Sequence, residues 1–204
     1  MKITKIFITI VVLLSATVGG YSRDYPEFDA LYDKMSASSV KMEYSYDFRQ
    51  STKTKITGKA VITVQDSSYV MNGNGLEVFC DGKTVWTVDV SAKEVVIDAL
   101  IPGNVDISNP ARLFGMLKDC FSITESIVSS AGVTYVLVPV KPCGINACMV
   151  RISGGKLSGA SFDIDGGELT VEVESMSFGE KLSADKFCFD VTDLPADYII
   201  TDLR

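Results

Sequence analysis

Between Gly75 and Ile97 the sequence reads GLEVFCDGKTVWTVDVSAKEVVI, three antiparallel strands in a row with their turns written in. Asp81-Gly82 is a strong hairpin signal, because a two-residue turn of the right twist needs positive φ and Asp-Gly supplies it. An even-length loop puts Phe79 and Trp86 on one face of the pair, and Leu76, Val78 and Val85 on the other. Both faces are then apolar. Such a hairpin has to be covered on one side by more protein and on the other by core, or by a ligand that takes the place of core.

The rest of the chain sets this hairpin in a larger sheet. From Asp24 to Ala37, Phe28, Leu31, Tyr32 and Met35 fall at i, i+3, i+4 and i+7, with Pro26 in the first turn and acids at Asp24, Glu27 and Asp29. That pattern predicts an amphipathic helix. Period two follows: Met42, Tyr44, Tyr46 and Phe48 alternate with polar residues, then Ile56, Ala60, Ile62 and Val64, then Tyr69 and Met71 before Asn72-Gly73-Asn74-Gly75. Ser108-Asn109-Pro110 opens a second predicted helix carrying Leu113, Phe114, Met116 and Leu117. Strands are predicted again at 121–127, 133–140, 148–152, 157–164 and 168–178, with short ones around Phe187-Cys188-Phe189 and Tyr198-Ile199-Ile200. The expected fold is mainly β (α+β): an incomplete, strongly curved antiparallel β-barrel of roughly ten strands lidded by short helices.

At the start of the chain Lys2 and Lys5 precede an apolar run to Leu14, and small residues follow at Ala16, Gly19 and Gly20. This reads as a secretory signal over residues 1–22, removed near Gly20 or Ser22, with one domain over 23–204. The run is shorter than the roughly 20 residues of a membrane span. No Cys near the cleavage zone offers a lipid acceptor, so the exported chain is expected to be soluble. Without Lys2 and Lys5, about 17 basic residues face 26 acidic ones. Nucleic acid, held largely by cationic contacts to phosphate, is not an expected partner.

The sequence has no histidine, which removes Ser-His-Asp and Cys-His mechanisms and His-ligated metal sites together. Ser36, Ser38 and Ser39 near Lys34 and Lys41 read as a solvated helix end. The pairs Asp163 with Asp165 and Glu172 with Glu174 read as the solvent side of strands, and no glycine motif opens a helix to hold a nucleotide. We therefore expect no catalytic activity and no cofactor. Five cysteines leave at least one unpaired; Cys143 and Cys148 enclose Gly144-Ile145-Asn146-Ala147, a turn-like insert that brings them into candidate disulfide reach. The aromatic and apolar residues that remain conspicuous fit either a filled core or a pocket for one apolar ligand.

Several ordered motifs resemble the LolA family of periplasmic outer-membrane lipoprotein carriers. Phe48-Arg49-Gln50 resembles that family's F-x-Q at the end of the first strand, and Asp81-Gly82-Lys83-Thr84-Val85-Trp86 its DGKT-aromatic hairpin. Asn109-Pro110 looks like the start of its second helix, Leu137-Val138-Pro139 like its L-x-P strand, and Ala184 to Phe189 with Pro195 like its closing stretch. The resemblance implies an apolar cavity for the acyl chains of a lipoprotein, lined by Tyr44, Tyr46, Ile62, Val64, Met71, Phe79, Trp86, Leu113, Phe114 and Met116. It also implies a periplasmic monomer whose partners are acylated outer-membrane lipoproteins, an inner-membrane release complex and an outer-membrane receptor. The other reading is a periplasmic protein-interaction or sensor module of the same fold without lipid cargo. One motif departs: where the family carries a basic residue after the second strand, whose arginine latches the lid, this chain has Val64-Gln65-Asp66-Ser67.

Overall fold

The computed structural model describes residues 25–50, 54–100, 117, 120–164 and 166–204. One helix, α1 (Pro26–Ala37), precedes β1 (Ser39–Gln50), β2 (Thr54–Gln65), β3 (Ser68–Gly73), β4 (Leu76–Cys80), β5 (Thr84–Asp89) and β6 (Glu94–Ala99). The second half holds β7 (Phe121–Ser129), β8 (Gly132–Pro139), β9 (Ile145–Ser153), β10 (Lys156–Ile164), β11 (Gly167–Gly179) and β12 (Ile199–Asp202). The strands form a single 12-stranded sheet in the order β12-β6-β5-β4-β3-β2-β1-β11-β10-β9-β8-β7. It does not close, and its two ends are β12 and β7. The incomplete curved barrel expected from the sequence is thus present, with twelve described strands rather than roughly ten.

Two runs of hairpins meet at its middle, where β1 pairs antiparallel with β11 along its whole length. Pairing is antiparallel throughout except for β12, which runs parallel to β6. Register shifts between Glu43 and Tyr44, Ile123 and Glu125, Leu157 and Gly159, and Asp163 and Ile164 are bulges, which bend a strand and raise its twist. The added residue falls on β11, β7, β10 and β9 respectively, so all four lie in the β7–β11 half of the sheet.

Burial follows the pleat. On β1 Val40, Met42 and Tyr44 are buried while Lys41 and Glu43 are exposed, and Cys148, Val150 and Ile152 on β9 are buried around an exposed Met149. The buried face, here called inner, holds the main core and is the one α1 covers. Lys59 pairs with Glu174 at 2.6 Å on the outer face, Arg151 pairs with Glu172, and Asp47 takes Lys55 at 2.9 Å and Arg49 at 3.0 Å. Arg49 first, then Lys55, hold the Asp47 carboxyl below the usual carboxylate range. These are the solvated strand faces that the Glu172 and Glu174 spacing predicts.

Turn chemistry sets the hairpins. Asn74 (φ 53°) and Gly75 (φ 81°) form the β3–β4 turn, both in the left-handed region that a tight hairpin of this twist demands. The β4–β5 turn is shifted by one residue from the expected Asp81-Gly82. Asp81 closes the ladder onto Thr84 (3.3 Å), so Gly82 (φ 91°) and Lys83 are the turn residues. Asp81 Oδ1 accepts from the amides of Lys83 (2.8 Å) and Thr84 (2.7 Å). An Asp side chain mimics a backbone turn in this way.

The C-terminal segment covers part of the outer face. Gln65 Nε2 donates to the Leu182 carbonyl (3.0 Å), its Oε1 accepts from the Leu182 amide (2.6 Å), and Lys181 pairs with Asp66 (2.9 Å). The turn that departs from the family pattern therefore holds this segment. A 3-10 turn at Ala184–Phe187 replaces the strand expected at Phe187-Cys188-Phe189. Its two rings alternate like a strand but serve different ends: Phe187 is itself buried, while Phe189 packs on a second cluster under the segment.

Candidate functional site

The inner face is built from alternate residues of nearly every strand and closed by α1. Pro26 at the first helical position, Glu27 and Asp29 in the first turn and Lys34 in the last suit the helix ends. Phe28 and Leu31 are its buried residues. At its start the Tyr25 hydroxyl donates to the Ile123 carbonyl on β7 (3.1 Å), and the rings of Tyr25 and Phe28 meet Tyr135 on β8 edge-on at 5.8 and 5.6 Å. At its end Lys34 Nζ lies 4.1 Å from the centre of the Phe178 ring on β11, next to β1. Twelve helical residues span about 18 Å, close to the ~19 Å of the four strand steps from β1 to β8. The helix thus straps one half of the sheet.

Tyr44, Ile62 and Met71 come together on neighbouring strands β1, β2 and β3, all buried in the main core. The Tyr44 hydroxyl lies 3.4 Å from Met71 Sδ. Tyr46 and Val64 are half-buried against the same core, two positions from Tyr44 and Ile62 respectively. Opposite Tyr46 stands Gly58, where a Cβ would sit 2.6 Å from both the Tyr46 hydroxyl and the Asn74 side chain. Only a bare backbone lets the Tyr46 ring cross β2 to reach Asn74, to which it is hydrogen-bonded.

Phe79 and Trp86 do not join this group. They pair across β4 and β5, as expected, but on the outer face, with Val88, Val95 and Ile97. Phe189, Val191, Leu194 and Tyr198 of the C-terminal segment cover them, and the Phe79 and Phe189 rings are 5.1 Å apart. The doubly apolar hairpin is therefore covered by protein on that side, and its inner face contributes Val78, Cys80 and Val85 instead. Leu113, Phe114 and Met116 lie outside the described residues. So does most of the second predicted helix, of which Leu117 is described and buried.

The candidate bridge between Cys143 and Cys148 is not formed: the structure leaves all five cysteines unbridged. Gly144 (φ 73°) makes the turn alone, and β9 begins at Ile145. The insert therefore runs extended rather than wrapping back. Cys143 Sγ faces the Ile145 carbonyl (3.8 Å), and Cys148 is buried opposite Phe162. Burial, with the nearby Cys143, pushes the Cys148 thiol well above its ordinary value.

Tyr135, Tyr69, Phe121, Phe162 and Leu137 are inner-face residues beyond the expected set. Tyr135 and Leu137 were findable from the alternation in Val133 to Val138. Ser39 is the one buried polar residue outside the hydrophobic core among the described residues, so the inner face offers apolar surface and tyrosine hydroxyls rather than charge. Burial raises the Tyr135 hydroxyl above its usual value, with Glu27 adding to it. Depressions of about 320 and 370 Å³ open at Met149 to Asp163 and at Asp47 to Lys59, where the strands carry their polar side chains outward. Among the described residues no group of three acidic or thiol side chains is placed to hold a metal, and no helix is long and apolar enough to cross a membrane.

No family model and no curated protein matches the sequence. Solved structures do. An uncharacterized conserved protein from Thermus thermophilus aligns over 86% of this chain and 97% of its own, with TM-score 0.53 and 11% identity. A LolA superfamily protein from Nitrosomonas europaea aligns over 79% of this chain and 97% of its own, with TM-score 0.45 and 8% identity. LprF from Mycobacterium bovis aligns over 78% and 95%, with TM-score 0.39 and 13% identity. Across most of its length, then, this chain shares the fold of the Thermus protein.

Proposed function

We propose that this protein is an exported carrier that holds the acyl chains of a lipoprotein between the inner face of its sheet and the helices over it. The observation that carries the reading is the inner face itself: an unclosed, curved sheet whose covered side is continuous apolar and tyrosine surface. The resemblance of the sequence motifs to the LolA family supports the same reading. Each methylene withdrawn from water contributes about 0.8 kcal/mol, so about ten of them supply roughly 8 kcal/mol, the free energy of a micromolar complex. Reversible loading and unloading needs that range. On this reading the protein works in the periplasm, receives its cargo from an inner-membrane release complex, delivers it to an outer-membrane receptor and catalyses nothing.

The test is titration of the purified, delipidated protein with a fluorescent long-chain fatty acid, followed by competition with an acylated lipoprotein. Saturable one-site binding displaced by the lipoprotein supports the carrier. Absence of binding to either ligand transfers the fold to the second reading, an interaction module. The observation favouring that alternative is that the sheet ends in two strands, β7 and β12, whose outer edges pair with no described strand.

A further inference from the structure

The end of the sheet at β12 combines three features, the first of which also favours the interaction-module reading. Among the described residues its outer edge is unpaired. Ile199 and Leu203 donate their amides to Lys93 and Ile97 on the β6 side (2.8 and 2.9 Å), so by the two-residue period the backbone groups of Ile200 and Asp202 point away from the sheet. No bulge interrupts β12, whereas β7 at the opposite end is broken between Ile123 and Glu125. Three apolar side chains along it are exposed, Ile199 at 61%, Ile200 at 46% and Leu203 at 61%, beside exposed Thr201 and Asp202. Exposed edges of this kind are templates for another strand; β12 is short, four residues, and carries neither lysine, proline nor a bulge.

The charge around the edge is one-sided. Glu94 and Asp98 lie on the neighbouring β6, Asp190 and Asp193 at the ends of the 3-10 turn before β12, Asp197 just ahead of it and Asp202 at its end, and among the described residues Lys93 is taken by Asp197 and Arg204 by Asp202. No described cation pairs with Glu94, Asp98 or Asp193. A second copy of this acidic chain would bring the same carboxylates against one another, and a neutral strand would leave them unanswered. We infer that the free edge of β12 accepts an added strand from a basic, extended segment of another protein, with the backbone of Ile200 and Asp202 supplying the ladder and the surrounding carboxylates selecting for lysine and arginine. This docking edge is separate from the inner face and does not depend on acyl binding.

The test uses the purified protein and a fluorescein-labelled seven-residue peptide of alternating lysine and valine, with its glutamate–valine counterpart as control, followed by fluorescence anisotropy. The lysine peptide should bind at least tenfold more tightly than the glutamate peptide, and weaken about tenfold between 20 and 300 mM salt as screening shortens from about 20 to about 6 Å. Ile200→Pro, which removes an outward amide and leaves the β6 bonds in place, should weaken binding at least tenfold with unchanged near-ultraviolet dichroism. The combined Glu94→Gln, Asp98→Asn and Asp193→Asn variant should do the same. Should Ile200→Pro not fold, hydrogen exchange at the Ile200 amide of the unaltered protein decides, since the peptide must protect it. The inference is overturned if the lysine peptide does not bind. It is equally overturned if Ile200→Pro binds it as well as the parent, or if the Ile200 amide is already protected by self-association without peptide.

Discussion

Replacing Ala60 with tryptophan probes the inner face at a small buried residue. Ala60 is buried on β2 between Tyr44 on β1 and Gly73 on β3, and a Cβ placed on Gly73 would lie 2.6 Å from its own Cβ. An indole at this position projects from the same inner face as Tyr44 and Ile62. It occupies about the volume of five methylenes, and excluding five from a bound acyl chain at ~0.8 kcal/mol each removes about 4 kcal/mol, roughly a thousandfold in affinity. Insertion into filled core costs about 1–3 kcal/mol or more, so a pocket should keep the stability loss at or below the low end of that range. Val61→Trp, one residue along and pointing outward beside Glu43 and Asn72, is the control and should change neither quantity much. Fatty-acid displacement measures the first effect, and urea unfolding followed by far-ultraviolet dichroism the second. Unchanged affinity together with a loss above about 3 kcal/mol would mean that the inner face is packed solid at Ala60, and the carrier reading would fall with it.

Gly58→Ala should cost about 1–2 kcal/mol, because its methyl displaces the Tyr46 hydroxyl and the Asn74 side chain. Adding Asn74→Ala should recover part of that cost, and strict additivity of the two in denaturant midpoints would refute the contact. Thiol titration of the unfolded, unreduced protein should count five thiols, with Cys188, the exposed one, reacting first in the native state; a count of three would restore the bridge between Cys143 and Cys148. Because burial raises the Cys148 thiol, the folded state keeps a proton that the unfolded chain gives up above about pH 8.5. Stability should therefore fall as pH rises beyond that point, and Cys148→Ala should flatten the fall between pH 8 and pH 10; an unchanged slope would assign the effect elsewhere.

Periodicity made most of the sheet legible. The helix stripe from Phe28 to Met35, the alternation through Met42 to Phe48 and the pairing of Phe79 with Trp86 were readable because each depends on neighbours a few residues away. Local chemistry misled where two explanations share one pattern. Phe187-Cys188-Phe189 alternates like a strand, yet Phe187 closes a 3-10 turn and is buried there while Phe189 packs on the second cluster. The spacing of Cys143 and Cys148 allowed a turn until Gly144 alone made it.

What the sequence determined by itself is the kind of surface this chain owns: strands with one apolar face, a hairpin apolar on both, an acidic exterior and no histidine with which to do chemistry. Which apolar face meets which partner was decided only in three dimensions. The hairpin's two faces are equivalent in sequence, and the choice between them fell to residues a hundred positions away. Phe189 to Tyr198 took the Phe79 and Trp86 side, held there by Gln65, Asp66 and a parallel strand on β6, which left Tyr44, Ile62 and Met71 in the main core on the inner face. Hydrophobic burial is nondirectional, so a sequence can require that a surface be covered without naming the cover.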